Sequence, residues 1–234
     1  MKYFIDTEFI EGFHKPLFGK RRHYIDLISI GVVAEDGREY YAISSEYNFK
    51  DASSWVKQCV IEPLYYDTIH GDARNFLEVD NFHKRFGKTN KQIAKEVKEF
   101  CKPQRLFEID KPIKINYSEI KNPEFYGYYA DYDWVLFCSL FGRMMDLPKG
   151  FPMYCKDLKQ MFDEKANSYT SEQLSKIEYP TVSHNVLEYL ESSGKIDKPI
   201  HLKTHKDYPI QENEHNALDD ARWNKKLFDF INGL

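Results

Sequence analysis

Apolar and polar positions follow two different periods along the chain, and the change of period divides it. Lys2–Phe9 (KYFIDTEF), near the start, alternates in the manner of a strand, and Leu27–Ala34 (LISIGVVA) is a short, mostly apolar run typical of a buried strand. Arg38–Ser45 (REYYAISS) reads as a third strand. Glu35, Asp36 and Gly37 form a turn signal between the last two, which predicts a hairpin. Gly12–Tyr24, carrying Lys15, Lys20, Arg21 and Arg22, reads as a basic loop between the first two strands.

Helical spacing then takes over. Asp51–Val60 fits a short helix capped by Asp51, and residues 61–88 show no periodicity and read as irregular. In Thr89–Cys101, Ile93, Val97 and Phe100 line one face, and Thr89 with Gln92 matches a capping box. Lys102–Pro123 reads as connecting structure, Glu124–Tyr129 as an aromatic strand, and Tyr132–Met145 and Lys156–Glu164 as helices. Residues 165–212 are polar, with helical fragments near Ser171–Lys176 and His184–Ser192, and the chain closes on an amphipathic helix from about Asn216 to Asn232. A meander followed by strand–helix units predicts an α/β fold with a mixed β-sheet flanked by helices. That order is compatible with a ribonuclease H-like architecture: one domain over 1–234, with insertions at about 12–24, 61–88 and 165–212.

Composition narrows the class. With 42% hydrophobic residues and 17 each of Tyr and Phe among 234, the chain can bury a full core. No apolar run approaches the roughly 20 residues that span a bilayer, so no membrane partner is expected. The first apolar stretch is broken at once by Asp6 and Glu8, unlike a signal peptide. Cys59, Cys101, Cys138 and Cys155 form no CxxC pair, so they are expected to be reduced thiols in a cytoplasmic protein. The net charge of −4 gives no global attraction for nucleic acid; such a site needs local basic clusters or bound metal ions.

Three acidic elements stand out. In a strand, Asp6 and Glu8 point to one face, with Cα atoms about 6.6 Å apart. Two adjacent carboxylates near a sheet interior repel one another unless a cation neutralises them. A solvent-facing strand edge would show the same pair. In Tyr128–Phe137 (YYADYDWVLF), Asp131 is placed to cap a helix, and Asp133 falls in its first turn, either as an ordinary first-turn acid or as a ligand. In His215–Ala221 (HNALDDA), Asp220 lies roughly 30° from the apolar axis of the helix and Asp219 roughly 130° away, at 100° per residue. Positions 215 and 220 are about 140° apart on a helix, which puts His215 in the loop before it.

Together these elements match the pattern of the DEDDh exonucleases, a D-x-E strand, a distant Asp opening a helix, and H-x-A-x-x-D. The chain resembles most the small 3′–5′ exoribonuclease family known from mycobacteria, through Tyr3–Glu11, Asp26–Tyr41, Ser54–Val56, the stretch around Tyr129–Leu136 and the final helix. The resemblance implies two Mg²⁺ or Mn²⁺ ions held by Asp6, Glu8, Asp133 and Asp220, with His215 taking a proton from the attacking water. Carboxylates suit hard divalent ions, and no thiolate or imidazole cluster points to zinc. The expected partner is the 3′ end of a nucleic acid, RNA before DNA, with a homodimer as a compatible assembly. Phe9 and Ile10 are placed to pack on the terminal nucleotide, and Lys20, Arg21 and Arg22 to follow phosphates. Core packing of Phe9 and a solvated basic loop are the plainer readings. The rival functions are the same chemistry on DNA, as in proofreading exonucleases, and a catalytically silent nucleic-acid-binding module.

Overall fold

Three antiparallel strands open the fold, as the alternation predicts: β1 (Lys2–His14), β2 (Arg22–Ala34) and β3 (Glu39–Ile43). This computed structural model describes residues 1–14, 19–69, 76–102, 122–175, 189, 192–193 and 202–234. Two further strands, β4 (Glu124–Gly127) and β5 (Lys156–Asp157), run parallel to β1 on its other side. The sheet order is β3-β2-β1-β4-β5, the mixed arrangement of a ribonuclease H-like α/β fold.

Helices cover both faces, which is why LISIGVVA carries no alternation. On one face Tyr3, Ile5, Ile30 and Val32 pack against Ile93 and Val97 of a helix at Asn90–Phe100, and against Trp134 and Phe137 of a helix at Asp131–Ser139. On the other face Phe4 and Val33 meet Leu158 and Phe162 of a helix at Leu158–Ser175, and Ala221 and Leu227 of the final helix at Ala217–Gly233. A third cluster joins Ile10 and Ile28 to the segment after β3. That segment comprises α1 (Ser54–Val56), a π-helical stretch at Lys57–Ile61, α2 (Glu62–Ile69) and α3 (Phe76–Phe86). In chain order the later helices are α4 (Asn90–Phe100), α5 (Asp131–Ser139), α6 (Leu158–Ser175) and α7 (Ala217–Gly233).

The structure revises several boundaries. Residues 12–14 and 22–24, expected as loop, are strand, so the first hairpin is longer than the pattern suggested. Residues 61–88, expected as irregular, contain α2 and α3; the π-helical stretch shifts the register of the apolar positions and hides the helical period. Ser53, not Asp51, caps α1, its hydroxyl accepting from the Val56 N–H at 3.2 Å. Residues 165–175 continue α6. At α4 the Thr89 hydroxyl accepts from the Gln92 N–H as predicted, but the Gln92 side chain turns to Glu96. Lys15, residues 103–121 of the expected connection and most of the fragment His184–Ser192 lie outside the described residues.

Candidate active site

Asp6 and Glu8 project from β1 toward α7, on the face of Phe4. Helix α7 is held close to the sheet by two contacts. A Cβ on Gly31 of β2 would lie 2.1 Å from the Ala217 carbonyl oxygen, so only glycine admits the first turn of α7 there. One turn beyond Asp220, the buried Asn224 donates through Nδ2 to the Ile5 carbonyl at 2.9 Å. The Asn216 side chain caps the helix by accepting from the N–H groups of Leu218 and Asp219. The result brings carboxylate oxygens of Asp6, Glu8 and Asp220 within 4.8 Å of one another. Asp220 is 8% exposed, whereas Asp219 turns outward to pair with Arg222 at 2.6 Å.

Asp133 reaches the site from the other face of the sheet. It is 7% exposed, and its Oδ1 accepts from both the backbone N–H of Thr7 at 2.8 Å and the Thr7 hydroxyl at 2.6 Å. It does not belong to the three-acid cluster, although its charge acts on Asp6. Asp131, expected as the helix cap, is the exposed first residue of α5; Ala130 is the capping residue, and its N–H is taken by Asp157 at 2.8 Å.

Burial pushes Asp6 well above the usual carboxylate range, and the charges of Asp133, Glu8 and Asp220 push it further. Burial, then Asp220 and Asp133, push Glu8 up to about 8. Burial raises Asp133 to about 6 against the pull of its Thr7 hydrogen bonds, and raises Asp220 against those from Gln211 and His215. Among the described residues the side-chain and backbone partners of these acids are Thr7, Gln211 and His215, and no lysine or arginine is bonded to them. Such a site is short of positive charge. A divalent cation fits it, and the donors are the hard oxygens that Mg²⁺ or Mn²⁺ accept.

His215 lies just before α7 with φ of +71°, a left-handed conformation that histidine adopts at some cost. That turn aims its backbone N–H at Asp220 Oδ2, 2.9 Å away, while Gln211 donates to the other oxygen at 2.6 Å. The imidazole sits edge-on to Trp55, with centroids 4.8 Å apart, and lines a cavity of about 240 Å³ with Ser29, Tyr41 and Asp67. The residues expected to meet substrate are divided. Phe9 stacks on Tyr132 at 5.6 Å, but Ile10 is buried in the third core cluster, where packing replaces the expected nucleotide contact. Lys20, Arg21 and Arg22 are exposed, and the Arg21 guanidinium lies over the Phe13 ring at 4.5 Å.

The family described as the 3′–5′ exoribonuclease Rv2179c-like domain matches residues 1–232. The chain belongs to this family. Two proteins named as 3′–5′ exoribonucleases from strains of Mycobacterium tuberculosis, Rv2179c and MT2234.1, are each 33% identical to it over 165 residues. The aligned part covers 70% of this chain and 76% of each relative.

Several residues that build the site in this family member escape a reading of the sequence. Thr7, between the two acids, alternates to the opposite face, and that alternation is the signal that could have found it. Asn224 follows Asp220 at i+4 on the inward side of α7. Gln211 and Asp157 carry no local signal, because both act across the fold.

Proposed function

We propose that this chain is a metal-dependent 3′–5′ exoribonuclease that releases nucleoside 5′-monophosphates from RNA ends, built as one domain over residues 1–234. One observation carries the reading: the Asp6, Glu8 and Asp220 carboxylates converge within 4.8 Å, and among the described residues no lysine or arginine pairs with them. The family supports the polarity and the RNA substrate, through relatives named for that activity.

Asp6, Glu8 and Asp220 would hold a divalent ion, and Asp133, fixed by Thr7, would serve a second. Bound Mg²⁺ or Mn²⁺ supplies Lewis-acid stabilisation of the charge that develops on the phosphoryl, attacking and leaving oxygens. His215 takes the proton of the attacking water at its imidazole nitrogen, a role commonly worth 10²–10⁴-fold. Its backbone bond to Asp220 couples the position of the base to that of a ligand. The water oxygen bonds to the phosphorus of the last linkage, and the bond from that phosphorus to the penultimate nucleotide's 3′-oxygen breaks. That oxygen takes a proton from solvent to become the new 3′-hydroxyl, and the terminal nucleotide leaves with the phosphate on its 5′-oxygen.

The test is incubation with 5′-labelled single-stranded RNA, single-stranded DNA and duplex RNA with a 3′ overhang, with Mg²⁺, Mn²⁺ or EDTA. A one-nucleotide ladder from the 3′ end of RNA that disappears in EDTA and in Asp6→Asn is expected. Faster loss of DNA than RNA would overturn the substrate assignment, and activity that survives EDTA would overturn the metal.

A further inference from the structure

We propose that the outer half of the β1–β2 hairpin is a track for single-stranded nucleic acid. On it, bases upstream of the scissile 3′ end stack along a strip formed by Phe9, Tyr132, His23 and Phe13. The proposal rests on the nuclease reading above and adds to it where the rest of the strand lies.

The hairpin outruns the sheet. Strand β4 pairs with β1 only at Lys2–Phe4, and β3 pairs with β2 only at Ser29–Val33. From Ile5 onward, β1 therefore has an edge unpaired in the sheet, and Asp133 takes up the Thr7 N–H along it. A bulge between Glu8 and Phe9 falls where the acids end and the outer half begins. The two faces of this outer half differ. One is anchored: Ile10 is buried with Val60 and Leu64, and the Tyr24 ring lies across Gly12, where a Cβ would come within 2.9 Å of it. The other is open, with Phe13 53% exposed, and across from it on α5 Tyr132 is 45% and Val135 56% exposed.

Aromatic rings follow one another along this open face. Phe9 stacks on Tyr132, His23 meets Tyr132 edge-on at 6.5 Å, and Phe13 meets His23 at 5.5 Å. A groove of about 390 Å³ runs beside them between His23, Ile25, Tyr132 and Val135. The strip starts beside Asp133, on the face of β1 that carries Thr7 and opposite the one from which Asp6 and Glu8 project. Phe9 packs with the cluster of Tyr3, Ile5 and Trp134, and its partner Tyr132 precedes Asp133. From Phe9 to Phe13 it extends about 13 Å at the rise of a strand. That is room for about three or four bases at 3.4 Å per nucleotide.

Charge selects the occupant. Lys20, Arg21 and Arg22 stand exposed at the outer end, in a chain whose net charge is −4. Of the acids here, Glu11 is paired with His23 at 2.8 Å, which leaves Asp131 exposed in the groove. Aromatic rings interleaved with cations are what a sequence-tolerant single-strand site requires, because every base offers a π-face and every linkage a negative charge. Stacking does not distinguish ribose from deoxyribose, so the track adds affinity and not sugar preference.

The experiment measures KM against length for single-stranded RNA of two, four and eight nucleotides, in wild type, Phe13→Ala, Phe13→Trp and Tyr132→Ala. In wild type KM is expected to fall from two nucleotides to about five and then level off. Phe13→Ala and Tyr132→Ala should raise KM for the eight-mer about five- to tenfold, the low end for one lost base–aromatic contact. For the dinucleotide, whose one upstream base reaches only the near end of the strip, Phe13→Ala should move KM less than twofold while Tyr132→Ala raises it, and Phe13→Trp should keep the wild-type profile. Equal changes at both lengths in Phe13→Ala, or none at the eight-mer in either variant, overturn the track. So does conversion of a dimer to a monomer by Phe13→Ala in sedimentation velocity, which would make the strip a protein interface. Should wild type cleave no RNA, the nuclease reading falls by itself. Anisotropy of labelled two- and eight-mers bound to Asp6→Asn still decides the track.

Discussion

Removing divalent ions should make the stability of this protein fall with rising pH, and Glu8 allows the size of the effect to be worked out. Its folded pKa of about 8 stands above its ordinary value of 4.5, so the folded state holds the proton more tightly. The resulting stabilisation is complete below 4.5 and is lost as pH rises through about 8. At 1.36 kcal/mol per pH unit, the loss from Glu8 between pH 5 and pH 8 is about 3 to 4 kcal/mol. For a chain of this size that corresponds to roughly 6–16 °C in melting temperature. Asp6 and Asp133, both raised, act in the same direction. A divalent ion bound to the ionised carboxylates would reverse the loss, so its thermal shift should grow with pH. The assay is differential scanning fluorimetry from pH 5 to pH 8.5 in EDTA or Mn²⁺, on wild type and Glu8→Gln. Wild type in EDTA should melt lower as pH rises, Mn²⁺ should flatten the curve, and Glu8→Gln should reduce the slope by Glu8's share, leaving that of Asp6 and Asp133. A slope in EDTA that Glu8→Gln leaves intact would refute the reasoning, because the proton would then belong elsewhere.

Three further outcomes are expected. His215→Ala should lower kcat 10²–10⁴-fold in single-turnover RNA cleavage while leaving Mn²⁺ affinity by calorimetry within a few-fold, and wild-type turnover would remove His215 as the base. Thr7→Val deletes one of the two donors to Asp133 and should cost about 1.5–3 kcal/mol in urea unfolding. It should also raise the acidic limb of the pH–rate profile, because a bond that favours the ionised acid is gone; an unmoved limb counts against Asp133 acting in the reaction. Gly31→Ala sets a Cβ against the Ala217 carbonyl and should destabilise by about 1–3 kcal/mol. Mn²⁺ affinity should weaken along with it as α7 shifts, whereas unchanged affinity would show that α7 tolerates the displacement.

The parts of the site with a local period were readable in the sequence. A period of two put Asp6 and Glu8 on one face of β1, and the helical wheel turned Asp220 inward and left Asp219 outside. The location of His215 before α7 followed from its offset to Asp220, though the left-handed turn that aims its N–H did not. What depended on distant partners was not readable. Asp133 was chosen over Asp131 on the ground that Asp131 caps the helix, but Ala130 occupies the cap, tied to Asp157 of β5. What places Asp133 is Thr7, 126 positions earlier. The length of the first hairpin was missed because its aromatic and basic residues resemble a loop in composition. Their strand character comes from pairing, Phe13 with His23 and Gly12 with Tyr24. Helix α2 was missed because a π-helical stretch ahead of it breaks the spacing on which periodicity depends.

The close packing of Gly31 against Ala217 ties the first strands of the chain to its last helix. Asp220 lies more than 200 residues after Asp6 and Glu8, so it leaves the ribosome long after them. A nascent chain therefore carries two of the three clustered acids and lacks the helix that would bring them a third. Translation order then acts as a safeguard for the proposed activity: the three-acid cluster cannot form beside the message that encodes it until synthesis has passed Asp220 and α7 has docked.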